Sequence, residues 1–188
     1  MNLIQIMLAE GRTVLSRSLI STKVLTEAVD VIALTFVLKD LLPPIYTLPQ
    51  GGSITVAGMV PLLWFALRRG LRFGVMAGAI YGLVHIALGG FVLNPVQALL
   101  DYPLAFGALG LAGLFKKVPL LGVGTGLMGR FVFHFVSGVV FFWMYAPPEM
   151  NPALYSAIYN GTYLIGEFLI SAVVIDILVR RKLLEIYL

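Results

Sequence analysis

Two ionisable side chains, Arg130 and His134, lie four residues apart in the apolar segment GRFVFHFVSGVVFFWMY (129–145). On a helix, positions i and i+4 share one face, so these side chains would lie one above the other. Inside a membrane, ionisable groups are costly and usually mark a functional site. Whether the two side chains mark a functional site therefore depends on whether this segment lies in a membrane.

The composition is that of an integral membrane protein. Hydrophobic residues make up 60% of the 188 positions and charged residues 12%, whereas soluble domains carry about 25% charged residues. A membrane helix needs about 20 mainly apolar residues, and six segments approach that length: 24–42, 54–67, 71–89, 96–115, 120–142 and 153–178. The sequence predicts an all-α domain of six transmembrane helices over 23–179. A cytoplasmic amphipathic lead-in is expected at 1–22 and a basic cytoplasmic tail at 180–188.

The basic residues predict the orientation of these helices. Eleven of the 13 Lys and Arg residues precede the first segment, follow the last, or lie at the junctions between segments two and three or four and five. The other connections, 43–53, 90–95 and 144–152, contain none. Because cytoplasmic loops carry an excess of positive charge, both termini are expected in the cytoplasm of a multi-pass plasma-membrane protein.

With this topology, polar residues from three helices reach a similar depth. At about 1.5 Å per residue, Asp101 and Tyr102 lie roughly 8–9 Å from the outer surface, His134 about 12 Å and Asn160 about 10 Å. Their convergence predicts a solute pocket open to the outside. Alternatively, Asp101 pairs with Arg130 or His134 and only holds helices together. Arg130 would lie about 18 Å from the outer surface and is expected to form a structural ion pair below the pocket.

Aromatic residues surround the same level, among them Phe142, Trp143 and Tyr155. Most aromatic residues at this depth are explained by an interfacial belt. A cationic aromatic ligand would nevertheless need this mixture, because a carboxylate and an amide bind ring nitrogens while aromatic faces hold the cation.

Other chemistry finds no support in the sequence. There is no cysteine, no HExxH zinc motif, no GxSxG motif and no GxxxxGK[ST] phosphate loop. We therefore expect neither an enzyme nor a bound metal or cofactor, and no nucleic-acid partner. The chain is expected to bind a small solute without its own source of energy.

Several segments resemble the thiamine-specific S components, the substrate-binding subunits of energy-coupling factor (ECF) vitamin transporters. They are LTEAVDVIAL, PQGGSITVAGMVPLLWFALRRG, QALLDYPLAFGALGLAGLF, FHFVSGVVFF and YSAIYNG, and the similarity extends from about Lys23 to Val179. The resemblance implies the compact S-component fold and high-affinity capture of thiamine from outside.

The resemblance also implies which residues contact the vitamin. The matching positions are Asp101, Tyr102, His134, Tyr155 and Asn160. A family tryptophan falls on Phe142, with Trp143 beside it, and the loop that closes over the ligand contributes Gly52 and Ser53. The Asp101 carboxylate is expected to bind the aminopyrimidine edge.

Finally, the resemblance implies partners in the lipid bilayer. These are a transmembrane coupling protein and two cytoplasmic ABC ATPases. The family docks through a pair of small residues on the first helix, and the aligned pair in this chain is Val29 and Ala33, which departs from that pattern at Val29. One alternative keeps the architecture but changes the ligand to a thiamine precursor, such as hydroxymethylpyrimidine, or to another vitamin. Another is an autonomous proton-coupled carrier or a membrane enzyme that uses Asp101 and His134.

Overall fold

The computed structural model describes residues 21–184. Most of the lead-in expected at 1–22, and residues 185–188 of the expected tail, lie outside the described residues. Over 21–184 the chain forms six helices, which confirms the predicted all-α fold. They are α1 (Thr22–Phe36, prolonged by the π-helical segment Val37–Leu41), α2 (Val60–Arg69), α3 (Leu71–Ala87), α4 (Pro95–Leu114), α5 (Pro119–Phe141) and α6 (Pro152–Arg180).

The exposed surfaces of these helices are apolar. Side chains that are at least half exposed include Leu83 on α3, Val132 on α5, and Ile165 and Val173 on α6. Helices α4, α5 and α6 are also long and apolar enough to cross a membrane. Lipid solvates such surfaces, whereas soluble monomers rarely expose large apolar patches, so the chain is an integral membrane protein.

Helix α2 begins later than the sequence predicted, at Val60 instead of residue 54. The preceding residues instead form a small antiparallel hairpin, in which β1 (Tyr46–Thr47) pairs with β2 (Ser53–Ile54). Pro61 then occupies the first turn of α2, where its missing N–H has no helical partner to lose. The chain therefore enters α2 from a folded loop.

Most of the basic residues within 21–184 lie at one end of the molecule, the basic end. Arg68 and Arg69, at the end of α2, contact the Glu27 carboxylate of α1 with N–O distances of 3.2 and 2.5 Å. Lys116 Nζ, between α4 and α5, donates to the Arg68 carbonyl at 3.1 Å. The basic end of α2 and the basic α4–α5 connection thus meet in space, which agrees with their predicted location on the same side of the membrane.

Close packing between α3 and α4 depends on glycine. A Cβ atom on Gly78 of α3 would lie 2.2 Å from the Phe106 carbonyl oxygen, and one on Gly110 of α4 would lie 2.2 Å from the Val75 nitrogen. Small residues let helix backbones approach this closely in membranes. These glycines fix the position of α4, which carries part of the site described next.

Candidate ligand-binding site

A cavity of about 330 Å³ lies at the end of the molecule opposite the basic end. Its lining includes the α1–α2 connection at Gly52 and the α3–α4 connection at Gly90, together with side chains of α1, α3, α4, α5 and α6. Small-molecule sites measure roughly 300–1,000 Å³. The cavity is therefore large enough for a single small ligand.

Eight of the nine residues expected to contact a ligand line this cavity: Gly52, Ser53, Asp101, Tyr102, His134, Phe142, Tyr155 and Asn160. The ninth, Trp143, lies outside the lining and is 58% exposed. It begins a short 3₁₀ turn, Trp143–Tyr145, whose other end, Tyr145, does line the cavity. Of the two adjacent aromatic rings, Phe142 is the one that a ligand in the cavity would meet.

An irregular segment of α4 carries Asp101 and Tyr102. Residues Leu100–Leu104 are π-helical and include Pro103, which cannot donate a helical hydrogen bond. Such π-bulges are rare and often occur at functional sites. Helix α1 is also π-helical where it carries Lys39, another residue of the lining. Two helices therefore depart from regular geometry where they present charged side chains to the cavity.

Hydrogen bonds hold the Asp101 carboxylate between α4 and α5. Its Oδ1 lies 3.0 Å from His134 Nδ1, and its Oδ2 accepts from Ser137 Oγ at 2.9 Å and from Gln97 Nε2 at 2.7 Å. The predicted alternative of an Asp101–His134 pair that joins helices is thus present, and it lies within the cavity wall. Gln97 was not predicted from sequence, although its spacing of four residues from Asp101 on one helix was a usable signal.

Asn160 of α6 forms the adjacent part of the wall. Its Nδ2 donates to the Ser156 carbonyl at 2.9 Å and to the His134 carbonyl at 3.3 Å. Its Oδ1 accepts from the Tyr163 hydroxyl at 3.0 Å. Asn160 therefore couples α6 to α5 at the level of His134, and these three contacts fix the orientation of its amide.

Aromatic rings cover the outer part of the cavity. Phe142 packs against Phe91 and Tyr145, with ring centroids 6.3 and 6.1 Å apart. On the facing helix, the Tyr155 ring stacks on the Tyr159 ring at 6.0 Å. The Tyr102 hydroxyl donates to the Phe91 carbonyl at 2.8 Å. These contacts fix the rings in place, so the cavity can offer aromatic faces to a ligand.

Within residues 21–184, two basic residues lie away from the basic end, Lys39 and Arg130, and both line the cavity. Lys39 Nζ pairs with Asp40 at 3.3 Å. The Arg130 guanidinium lies 3.9 Å from the centroid of the Phe106 ring, and its Nε and Nη1 atoms are buried without a hydrogen-bond partner in the described structure. The expectation that Arg130 forms an ion pair below the pocket is therefore wrong, because its partner is an aromatic face and its guanidinium lines the cavity.

Two further acidic or basic groups of the lining were not predicted. Glu167 of α6 accepts through Oε1 from the Thr55 backbone N–H at 2.6 Å and from the Thr55 hydroxyl at 2.7 Å. His85 of α3 also belongs to the lining, and its Nδ1 lies 3.0 Å from Asp40 of α1. The positions of Asn160, Tyr163 and Glu167, at i, i+3 and i+7 of one helix face, could have revealed Glu167.

The loop that carries Gly52 is fastened to α6. The Tyr159 hydroxyl accepts from the Gly52 N–H at 2.8 Å and donates to the Pro49 carbonyl. Together with the Glu167–Thr55 contacts, these bonds hold the hairpin loop over the cavity.

Replacing Tyr159 by Phe is expected to loosen this loop. Each of the two lost hydrogen bonds contributes about 1 kcal/mol, so amide exchange at Gly52 should accelerate by about 5- to 30-fold. Hydrogen–deuterium exchange of the 48–56 segment measures the effect. Tyr155→Phe is the matched control, since no hydrogen bond to the Tyr155 hydroxyl is present in the described structure. Equal exchange rates in the two variants would contradict this role of Tyr159.

The predicted docking residues lie on an exposed face of α1. Val29 is 58% exposed, Ala33 is also exposed, and Leu25, Leu34 and Val37 add apolar surface nearby. This face lies on the outside of the helix bundle, away from the cavity.

The proteins that are similar to this chain share one description, thiamine transporter. The model of a family described as "Thiamine transporter protein (Thia_YuaJ)" matches residues 25–186. The thiamine transporter ThiT of Bacillus subtilis strain 168 is 37% identical over 149 residues, which cover 70% of this chain and 77% of the relative. ThiT of Lacticaseibacillus paracasei is 35% identical over 141 residues, 64% of this chain and 70% of the relative.

A solved structure shares the fold. ThiT from Listeria monocytogenes aligns with a TM-score of 0.78 at 29% identity, covering 86% of this chain and 96% of the other. The family match extends over nearly all of the six helices and every residue of the cavity lining. The chain is therefore a multi-pass plasma-membrane protein that belongs to the thiamine transporter protein family.

Proposed function

We propose that this protein captures thiamine from outside the cell in the cavity between α4, α5 and α6. The observation that carries the proposal is the convergence of eight expected contact residues on one cavity of suitable volume. The relatives named thiamine transporters support the same ligand. The chain is proposed as a binding and transport subunit, without catalytic activity.

The chemistry of the wall suits the two halves of thiamine. The aminopyrimidine offers an amino donor, which matches the acceptor positions left at His134 Nε2 and Asn160 Oδ1 and the negative charge of Asp101 beside them. The thiazolium cation suits the rings of Phe142, Tyr102 and Tyr155, because cation–π attraction contributes about 2 kcal/mol at a desolvated site. Two atoms of the lining, His134 Nε2 and Glu167 Oε2, are buried and have no hydrogen-bond partner in the described structure. Both can therefore accept a hydrogen bond from the ligand.

Titration calorimetry of the detergent-purified chain tests the ligand directly. We expect saturable one-site binding of thiamine, with little competition from pyridoxine or riboflavin. Tighter binding of hydroxymethylpyrimidine than of thiamine would instead favour the precursor as ligand. If none of these compounds bound, the proposal that the cavity is a vitamin site would be wrong.

We further propose that import needs an ECF module, formed by a transmembrane coupling protein and two cytoplasmic ABC ATPases. The absence of a phosphate loop from the sequence supports an external source of energy. The exposed apolar face around Val29 and Ala33 is the proposed contact for the coupling protein. The lead-in at 1–22 and the tail at 180–188 are then placed in the cytoplasm beside the ATPases.

Uptake into vesicles distinguishes this proposal from an autonomous carrier. Vesicles that contain only this chain should bind thiamine but not accumulate it, and accumulation should require the ECF module and ATP. Accumulation driven by a proton gradient in the absence of any ATPase would favour the carrier that was predicted as an alternative.

A matched pair of substitutions tests the proposed position of the cation. Phe142→Ala should weaken thiamine binding by about 5- to 30-fold, since it removes about 1–2 kcal/mol of cation–π attraction. Trp143→Ala should change affinity by less than about 3-fold, because that ring lies outside the cavity. The reverse order, measured by the same calorimetry, would place the cation against Trp143.

A further inference from the structure

We propose that Asp101 is a positioning residue, which acts on the ligand through His134 and fixes the imidazole with an acceptor nitrogen facing the cavity. The inference rests on the proposed function, because thiamine is taken as the ligand. It differs from the expectation that the Asp101 carboxylate itself binds the aminopyrimidine edge.

The hydrogen-bonding capacity of Asp101 is mostly used by the protein. An ionised carboxylate offers about four acceptor positions, and three are occupied by His134 Nδ1, Ser137 Oγ and Gln97 Nε2. The Asp101 side chain is only 12% exposed. Little of this carboxylate remains available to a ligand.

The Gln97 contact is fixed in direction. Gln97 Oε1 accepts from the Leu93 backbone N–H at 2.8 Å, so its other amide atom, Nε2, must donate to Asp101. Ser137 Oγ likewise donates to Asp101. Two donors from separate helices thus hold the carboxylate in one orientation, with Oδ1 directed at His134.

This arrangement determines the tautomer of His134. A carboxylate only accepts hydrogen bonds, so the Nδ1 atom beside Asp101 must carry the proton. In a neutral imidazole the other nitrogen, Nε2, is then an acceptor. His134 Nε2 is buried, has no partner in the described structure, and belongs to a residue that lines the cavity.

The acceptor at Nε2 selects a ligand that carries a donor. In thiamine the N–H donors belong to the amino group of the pyrimidine, so His134 would accept from that amino group. An analogue with a carbonyl at that position, oxythiamine, would place an acceptor against an acceptor. Asp101 would therefore contribute to ligand discrimination although the group that contacts the ligand is His134.

The tautomer can be measured without a ligand. The chain contains two histidines, His85 and His134, and a His85→Gln variant assigns their signals in ¹⁵N-histidine spectra. We expect the parent His134 to be protonated at Nδ1 and the Asp101→Ala protein to shift toward protonation at Nε2. The same tautomer in both proteins would overturn the positioning role, whether or not thiamine binds.

A double-substitution cycle tests the route to the ligand. We expect Asp101→Ala and His134→Ala each to weaken thiamine binding by about 30- to 300-fold, since each leaves a buried partner unpaired. The double variant should be within about 3-fold of His134→Ala, because coupled residues are not additive. Losses that multiply would overturn the proposal and make Asp101 an independent contact.

Two further readouts separate positioning from a general loss of structure. Asp101→Asn keeps an acceptor oxygen for His134 but turns an amide donor toward Gln97 Nε2 and Ser137 Oγ. It should therefore bind thiamine more weakly than the parent but more tightly than Asp101→Ala if Asp101 positions the ring. The preference for thiamine over oxythiamine should fall at least about 10-fold in Asp101→Ala. A lower affinity with an unchanged preference would show a structural role only.

Failure of the parent to bind thiamine would instead refute the proposed function, and the tautomer measurement would still decide the role of Asp101.

Discussion

Asp101→Ala is expected to weaken thiamine binding by about 30- to 300-fold, or about 2 to 3.5 kcal/mol. The substitution removes the negative charge nearest to the proposed pyrimidine site and frees His134 to adopt another tautomer. It also leaves the buried donors Gln97 Nε2 and Ser137 Oγ without their acceptor. Titration calorimetry of the two purified proteins measures the loss.

The matched control for Asp101 is Asp176→Ala on α6. Asp176 is partly exposed and pairs with Arg180 at 2.6 Å, near the basic end and away from the cavity. Because this exposed pair lies outside the cavity lining, the variant should bind thiamine like the parent. Equal affinity of parent and Asp101→Ala proteins would contradict the assignment of the cavity as the thiamine site.

Gly110→Ala is expected to have the largest effect on stability. A Cβ at this position would lie 2.2 Å from the Val75 nitrogen and 2.6 Å from the Gly74 carbonyl carbon. Because these are backbone atoms of α3, the two helices must separate, and overpacking of this kind costs about 1–3 kcal/mol. Thermal unfolding in detergent should show a lower midpoint or a loss of folded protein.

Gly161→Ala on α6 provides the same chemical change in open space. Outside its two chain neighbours and the backbone of its own helix, no heavy atom lies within 4 Å of the Cβ position at Gly161. Alanine is also favoured over glycine in helices by about 1 kcal/mol. This variant should be as stable as the parent or slightly more stable. If Gly110→Ala unfolded at the same temperature as Gly161→Ala, the tight α3–α4 contact would be refuted.

The helices and their ends could be predicted because each depends on local sequence. Apolar length alone gives α3, α4, α5 and α6 to within two residues at either end. Proline marks the starts of α4, α5 and α6 at Pro95, Pro119 and Pro152. The start of α2 was missed because the hairpin at 46–54 depends on contacts with α6, which no local pattern reveals.

The site was predictable where polar residues interrupt apolar segments, as Asp101, His134 and Asn160 do. Other members depend on the arrangement of helices in space. Arg130 was assigned to an ion pair from its depth, but the structure places the Phe106 ring against its guanidinium. Trp143 and Phe142 are adjacent in sequence, and only the turn after α5 determines which ring faces the cavity.

The central claim, that thiamine binds in this cavity, is tested most directly by an experimental structure of the protein determined with thiamine. The account predicts the aminopyrimidine amino group within hydrogen-bond distance of His134 Nε2 and the thiazolium ring against Phe142. Thiamine bound outside the cavity, or a cavity that stays empty at saturating thiamine, would contradict it.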